Sequence, residues 1–140
     1  MNMKSRLFPA LVCLAGVFLA SCVAPVGPRI YNDPTKLIEV SINEEFVIAV
    51  DYAPTTEYFW QPQYDSDVLE LVENTCLLCT VGELQGAGPY AGYDYPGAAD
   101  AVNFSRFKAL KDGDTEVTMV FKRPNEDTSI EQQIFKVTVN

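Results

Sequence analysis

The sequence predicts an all-β chain folded as an immunoglobulin-like antiparallel β-sandwich of about seven strands. Three observations carry that expectation. From residue 38 onward apolar residues recur at every second position in short runs, the period of a half-buried strand. Nothing repeats at a helical period over a usable length. Turn-forming residues separate the runs, and the only tryptophan, Trp60, falls on the third of them, where sandwiches of this class bury a large aromatic side chain.

Taken in order, Ile38, Val40 and Ile42 alternate with Glu39, Ser41 and Asn43, and after a turn at 43–45 the pattern resumes with Phe46, Ile48 and Val50. Tyr58 and Trp60 share one face of a third strand with Phe59 opposite, which makes the first two core residues rather than contacts. Residues 68–72 form a fourth strand and residues 102–111 a fifth, on which Phe107 and Ala109 point the same way. Asp112-Gly113-Asp114 turns the chain, because Gly accepts positive φ and Asp side chains bond turn backbone. Val117, Met119 and Phe121 occupy one face of the sixth strand, and Phe135, Val137 and Val139 one face of the seventh. Trp60, Phe121 and Phe135 are expected to supply much of the buried apolar area.

The N-terminus reads as an export signal. Lys4 and Arg6 precede an apolar run from Leu7 to Ala20, too short for a membrane-spanning helix and shaped like a cleaved secretory segment. Leu19-Ala20-Ser21-Cys22 resembles the lipobox of bacterial lipoproteins, which implies cleavage after residue 21 and acylation of Cys22 with palmitate-type chains. Val23 rather than Asp follows the cysteine, which under the sorting rule of enterobacterial lipoproteins implies the outer membrane. Residues 22–34 hold Pro25, Gly27, Pro28 and Pro34 and little that packs, the composition of an extended tether. The domain is then 35–140, about 105 residues, enough for one core.

Charge and composition narrow the function. Removing residues 1–21 takes away Lys4 and Arg6 and no acid, which leaves eight basic against nineteen acidic residues, a net of −11. Such a surface lacks the cationic footprint that nucleic acid requires. Histidine is absent, which removes the usual general base and the commonest zinc ligand. Asp65, Asp67, Glu70 and Glu73 cluster, but no nucleophile or phosphate loop accompanies them, so they read as a solvated strand face. The expectation is a non-enzymatic, monomeric protein with no metal and no cofactor.

Three loops lie between the strands: Ala53-Pro54-Thr55-Thr56-Glu57, Gly86-Ala87-Gly88-Pro89 and Arg123-Pro124. Loops at one end of a sandwich can form a single contact surface. The middle loop belongs to an unusually long connection, 74–101, which holds five of the eight glycines with Tyr90, Tyr93 and Tyr95. Tyr with Gly is the mixture of protein-binding loops, since the rings give contact area at low entropic cost.

In this order and between these strands, the loops resemble the chagasin family of cysteine peptidase inhibitors. That family carries Asn-Pro-Thr-Thr-Gly-aromatic-x-Trp before its third strand, then Gly-x-Gly-Gly, then Arg-Pro followed by Trp or Phe. Here Pro54, Thr55, Thr56, Tyr58 and Trp60 match the first motif, Gly86 and Gly88 the second, and Arg123 and Pro124 the third. The resemblance implies reversible blockage of papain-like cysteine peptidases, the three loops wedging into the active-site cleft. It assigns peptidase contact to Pro54, Thr55, Thr56, Gly86, Gly88, Arg123 and Pro124, and the tyrosine-glycine composition of the middle loop adds Tyr90. The chain departs from the family at Ala53, Glu57, Pro89 and Asn125. These departures support an alternative, a non-inhibitory lipoprotein that binds another envelope protein through the same loops.

Cys76-Leu77-Leu78-Cys79 opens the long connection. In an exported chain an oxidised pair is the natural reading. Free or intermolecular thiols, and redox or metal function, are the other readings.

Overall fold

Strands with one apolar face must pair and then cover that face, and the chain does so with two sheets pressed together. A computed structural model describes residues 27–52, 57–80, 83–84, 90 and 101–140. Among these described residues nine strands form in chain order: β1 (Arg29–Tyr31), β2 (Ile38–Val40), β3 (Glu45–Tyr52), β4 (Phe59–Gln63), β5 (Leu69–Thr80), β6 (Glu83–Leu84), β7 (Ala101–Ala109), β8 (Gly113–Lys122) and β9 (Glu131–Val139). One sheet has the order β1-β3-β7-β5-β6, the other β2-β9-β8-β4. The expected sandwich is present. The seven expected strands correspond to β2–β5 and β7–β9.

The additions change its edges. β1 lies inside the stretch 22–34 expected to be a tether and pairs parallel with β3, Arg29 opposite Phe46. β2 pairs parallel with β9, Ile38 opposite Val137, so both sheets are mixed rather than wholly antiparallel. β5 continues well past residue 72, to Thr80, and turns back as β6, so part of the long 74–101 connection is sheet. Pro62 sits on β4, an edge strand, where a missing N–H is tolerated.

Alternation sorts the side chains as expected. Ile38, Phe46, Ile48, Val50, Trp60, Phe107, Val117, Met119, Phe121, Phe135 and Val137 meet in the core between the sheets. Ile42 is the exception: it falls in a turn and is 44% exposed. Phe46 stacks on Phe107 with ring centroids 5.5 Å apart. Trp60 is 3% exposed, lies 4.9 Å from the Phe121 ring and donates its indole N–H to the Asp51 carbonyl at 2.6 Å. A second, smaller cluster of Val47, Ala49, Val102, Phe104 and Tyr90 occupies the outer face of the five-stranded sheet.

A bulge divides β5. Leu71 pairs with Phe107 and Glu73 with Arg106, which leaves Val72 as the extra residue. One extra residue exchanges the two faces of a strand. Before it Leu69 points to the core. After it Asn74 and Cys76 stand opposite the inward residues Ser105 and Asn103, while Glu73 turns to the outer face beside Arg106.

Register also sets the poles of the sandwich. Tyr52, Ala101 and Leu78 share a row, and Phe59 with Lys122 and Phe121 with Glu131 mark the same end of the other sheet. At the far pole the Asn43 N–H donates to the Ala109 carbonyl at 2.8 Å and the Leu110 N–H to the Val68 carbonyl at 2.8 Å. Gly113 opens β8 there with φ 141, a conformation costly for any residue with a Cβ.

Trp60→Ala removes the ring that packs on Phe121 and the bond to Asp51, and is expected to cost about 3–5 kcal/mol. Urea denaturation followed by circular dichroism checks it, and equal midpoints would refute the placement.

Candidate functional site

Because β3, β5 and β8 end, and β4, β7 and β9 begin, at one pole, the connections β3–β4, β6–β7 and β8–β9 are all hung from it or beside it. These are the three loops singled out in the sequence. Ala53, Pro54, Thr55, Thr56, Gly86, Gly88 and Pro89 lie outside the described residues, as do Cys22 and the export signal. Glu57, Tyr58, Tyr90, Arg123 and Pro124 lie within them.

The first and third loops meet at Arg123. Its Nε is 3.5 Å from Glu57 Oε2, its Nη1 is 3.5 Å from Glu126 Oε1, and its guanidinium lies 4.9 Å from the centre of the Tyr58 ring. Tyr58 packs in turn against Phe121, centroids 5.6 Å apart. Arg123 is nearly half exposed and Glu57 almost fully so, so each ion pair contributes at most about 1 kcal/mol. Their combined effect is orientation, since a planar guanidinium held on an aromatic face gives up fewer rotamers when it binds. Asp51, near the same end, is pushed above the usual carboxylate range by burial and then by the Glu131 carboxylate.

Glu57 occupies the position where the family motif has Gly, and here it is the partner that reaches Arg123. Asn125 occupies the position of the family's aromatic residue. It adopts φ 64 in the turn that follows Arg123 and Pro124, a region Asn enters more readily than aromatic residues do. Glu57, Phe59, Arg123, Pro124 and Glu126 together line an open groove of about 520 Å³.

Tyr90, expected to touch a peptidase, is a correction. It is 3% exposed, stacks on Phe104 with centroids 4.4 Å apart and an interplanar angle of 13°, and donates its hydroxyl to Glu73 Oε2 at 3.0 Å. A ring buried on the sheet's outer face offers no contact area to a partner. Glu73, expected on a solvated face, also meets Arg106 Nη2 at 3.6 Å, and Arg106 Nη1 lies 3.8 Å from Glu45. The guanidinium Nε of Arg106 is buried without a hydrogen-bond partner. Tyr90 therefore anchors the chain that leaves the glycine loop. Its signal in the sequence was indistinguishable from that of Tyr93 and Tyr95, because the partner that buries it, Phe104, is fourteen residues away and faces outward on a strand.

The expected bridge between Cys76 and Cys79 is likewise corrected. Both residues lie on β5, and residues three apart on an extended strand stand about 10 Å apart, beyond the roughly 7 Å Cα separation a disulfide spans. Cys76 is a free thiol that donates to Asn103 Oδ1 at 3.1 Å. Burial pushes its pKa up, which keeps the thiol protonated and slows it as a nucleophile. Asn103 and Ser105 are buried and both donate to Asn74 Oδ1, at 2.9 and 2.8 Å, so the thiol ends a satisfied polar array. Among the described residues no group of three or more Cys, Asp or Glu is placed to hold a metal ion.

Burial first, then the hydrogen bond to Glu73 and its charge, raise the Tyr90 phenol above its ordinary value. A group with a raised folded pKa contributes stability that is complete below the unfolded value, about 10, and lost as pH rises beyond it. Urea midpoints between pH 8 and 11 are expected to fall more steeply for the parent than for Tyr90→Phe. At pH 7 that variant is expected to lose about 0.5–1.5 kcal/mol. Parallel pH profiles would overturn the assignment.

Comparison with known proteins bears on the fold and the family. Residues 39–139 match the family model described as chagasin family peptidase inhibitor I42. Among solved structures, the cysteine protease inhibitor EhICP2 from Entamoeba histolytica superposes with TM-score 0.57 at 20% identity, over 80% of this chain and 94% of that one. Amebosin superposes with TM-score 0.54 at 18% identity, over 81% of this chain and 100% of that one. At such identities the two structures show a common fold. No curated protein matches the chain. The family model spans nearly the whole sandwich, from β2 to β9, and includes all three loops and the groove at Arg123: the chain belongs to the chagasin family of peptidase inhibitors.

Proposed function

We propose that this protein is a reversible inhibitor of papain-like cysteine peptidases that occludes the active-site cleft with the loop-bearing pole. One observation carries the reading: the first and third loops are joined at that pole through Glu57, Arg123 and Tyr58, which gives the two loops a common base. Family membership supports it, and the fold shared with the cysteine protease inhibitor EhICP2 agrees with it.

Inhibition of this kind needs fit and no bond chemistry. Pro54 restricts φ in the first loop, and Thr55 and Thr56 carry hydroxyls and backbone groups able to satisfy the polar groups of a peptidase cleft. Gly86 and Gly88 let the middle loop's backbone approach a surface closely. Arg123 and Pro124 form the third edge, with the exposed ring of Phe59 beside them. In the same reading, Cys22 is acylated after cleavage and holds the domain at the cell envelope, at the outer membrane by its sorting residue. The involvement of Arg123 with Glu57 favours a second reading, in which this pole meets a different envelope protein whose surface suits an arginine flanked by acids.

Titration of papain with the purified protein distinguishes the two. Stoichiometric loss of activity is expected, and Thr55→Asp with Thr56→Asp is expected to weaken it at least 100-fold, about 2.8 kcal/mol, with an unchanged melting curve. Absence of inhibition at micromolar protein across several papain-like enzymes would favour the second reading. Arg123→Ala is expected to weaken inhibition about tenfold while moving stability by less than about 0.5 kcal/mol, read from inhibition constants and urea midpoints together.

A further inference from the structure

We infer that the membrane anchor and the inhibitory tips occupy opposite poles, so that the protein presents its loops away from the bilayer to a soluble peptidase approaching from the aqueous side. This rests on the reading of Cys22 as acylated and of the loops as the contact surface.

The inference comes from strand direction. β1 pairs parallel with β3, with Arg29 beside Phe46 and Tyr31 beside Ile48. β3 runs from Glu45, which faces Lys108 at the far pole, to Tyr52, which faces Ala101 at the loop-bearing pole. The chain therefore enters the sandwich at the pole opposite the loops. Had β1 joined the same edge antiparallel, the chain before Arg29 would run toward the loop-bearing end.

Lengths make the separation matter. Cys22 precedes Arg29 by seven residues, which reach at most about 25 Å when fully extended. The eight residues of β3 alone span about 26 Å. A tether no longer than the body it holds keeps the attached pole nearest the membrane.

A peptidase cleft that opens toward the solution facing this membrane then meets the tips without steric conflict with lipid. A peptidase bound flat on the same bilayer, with its cleft parallel to the surface, does not.

The test uses the full acylated protein in phosphatidylcholine vesicles that carry a nitroxide quencher on the headgroup. A fluorophore is placed at Asp127→Cys, on the loop-bearing pole, or at Lys111→Cys, on the far pole, each with Cys76→Ser and Cys79→Ser and with folding checked by circular dichroism. Both positions are exposed. Quenching at 111 is expected to exceed that at 127 at least threefold. Equal or reversed quenching in protein that floats with the vesicles overturns the orientation, whatever the protein inhibits. Protein that fails to float, while its Cys22→Ala form behaves identically, overturns the anchor on which the inference stands. In parallel, inhibition of soluble papain by vesicle-bound and Cys22→Ala protein is expected to agree within threefold. A tenfold loss on vesicles counts against the outward presentation, and no inhibition by either form refutes the inhibitor reading while the quenching result still decides orientation.

Discussion

The loop-bearing pole depends on one residue that reaches both sheets at once. Trp60 begins the four-stranded sheet at β4, yet its indole N–H donates to Asp51 at the end of β3, its ring packs on Phe121 of β8, and its carbonyl accepts from Asn74 of β5 at 3.4 Å. Sheets in a sandwich touch only through side chains. A residue that links an edge of one to the end of the other therefore sets how far apart the loops start. Tyr58, two residues before it, and Arg123, two residues after Phe121, inherit that spacing and meet over it.

The middle loop is mounted differently. Its fixed point is Tyr90, pressed on the outer face of the five-stranded sheet and held by Glu73, and Glu73 reaches that face only because the bulge at Val72 exchanges the two sides of β5. The same exchange turns Cys76 and Asn74 inward onto Asn103 and Ser105. One inserted residue thus accounts both for a partly buried polar array on the inner face of this sheet and for an anchor on its outer face. Bulges near binding surfaces commonly re-aim side chains in this way.

The departures from the family motif acquire physical content at the loop-bearing pole. Glu57 supplies a carboxylate that orients Arg123, and Asn125 supplies a residue suited to positive φ where a large aromatic side chain would be strained. The pole thereby exchanges apolar contact area for a charged, pre-oriented surface. Charged complementarity tends to govern association rate and partner choice more than affinity, so this chain's preference among peptidases should differ from that of relatives with the aromatic residue.

Alternation of apolar residues was enough to determine the class of the fold, the inward faces of β2–β4 and β7–β9, and the burial of Trp60, Phe121 and Phe135, because a strand's period is local and each of those faces has its own apolar code. The order of the three loops was legible for the same reason, as turn residues between those runs. What the sequence left open was everything set by pairing across long separations. β1 was hidden in a proline-rich stretch because three residues form a strand only when β3 offers an edge. The bulge at Val72 reversed the facing of half a strand, so Glu73 and Cys76 acquired partners that no local pattern names. Tyr90 is covered through Phe104 and Glu73, which lie far from it in the sequence. Register and burial come from contacts between distant segments, and only the tertiary structure decides which of those contacts form.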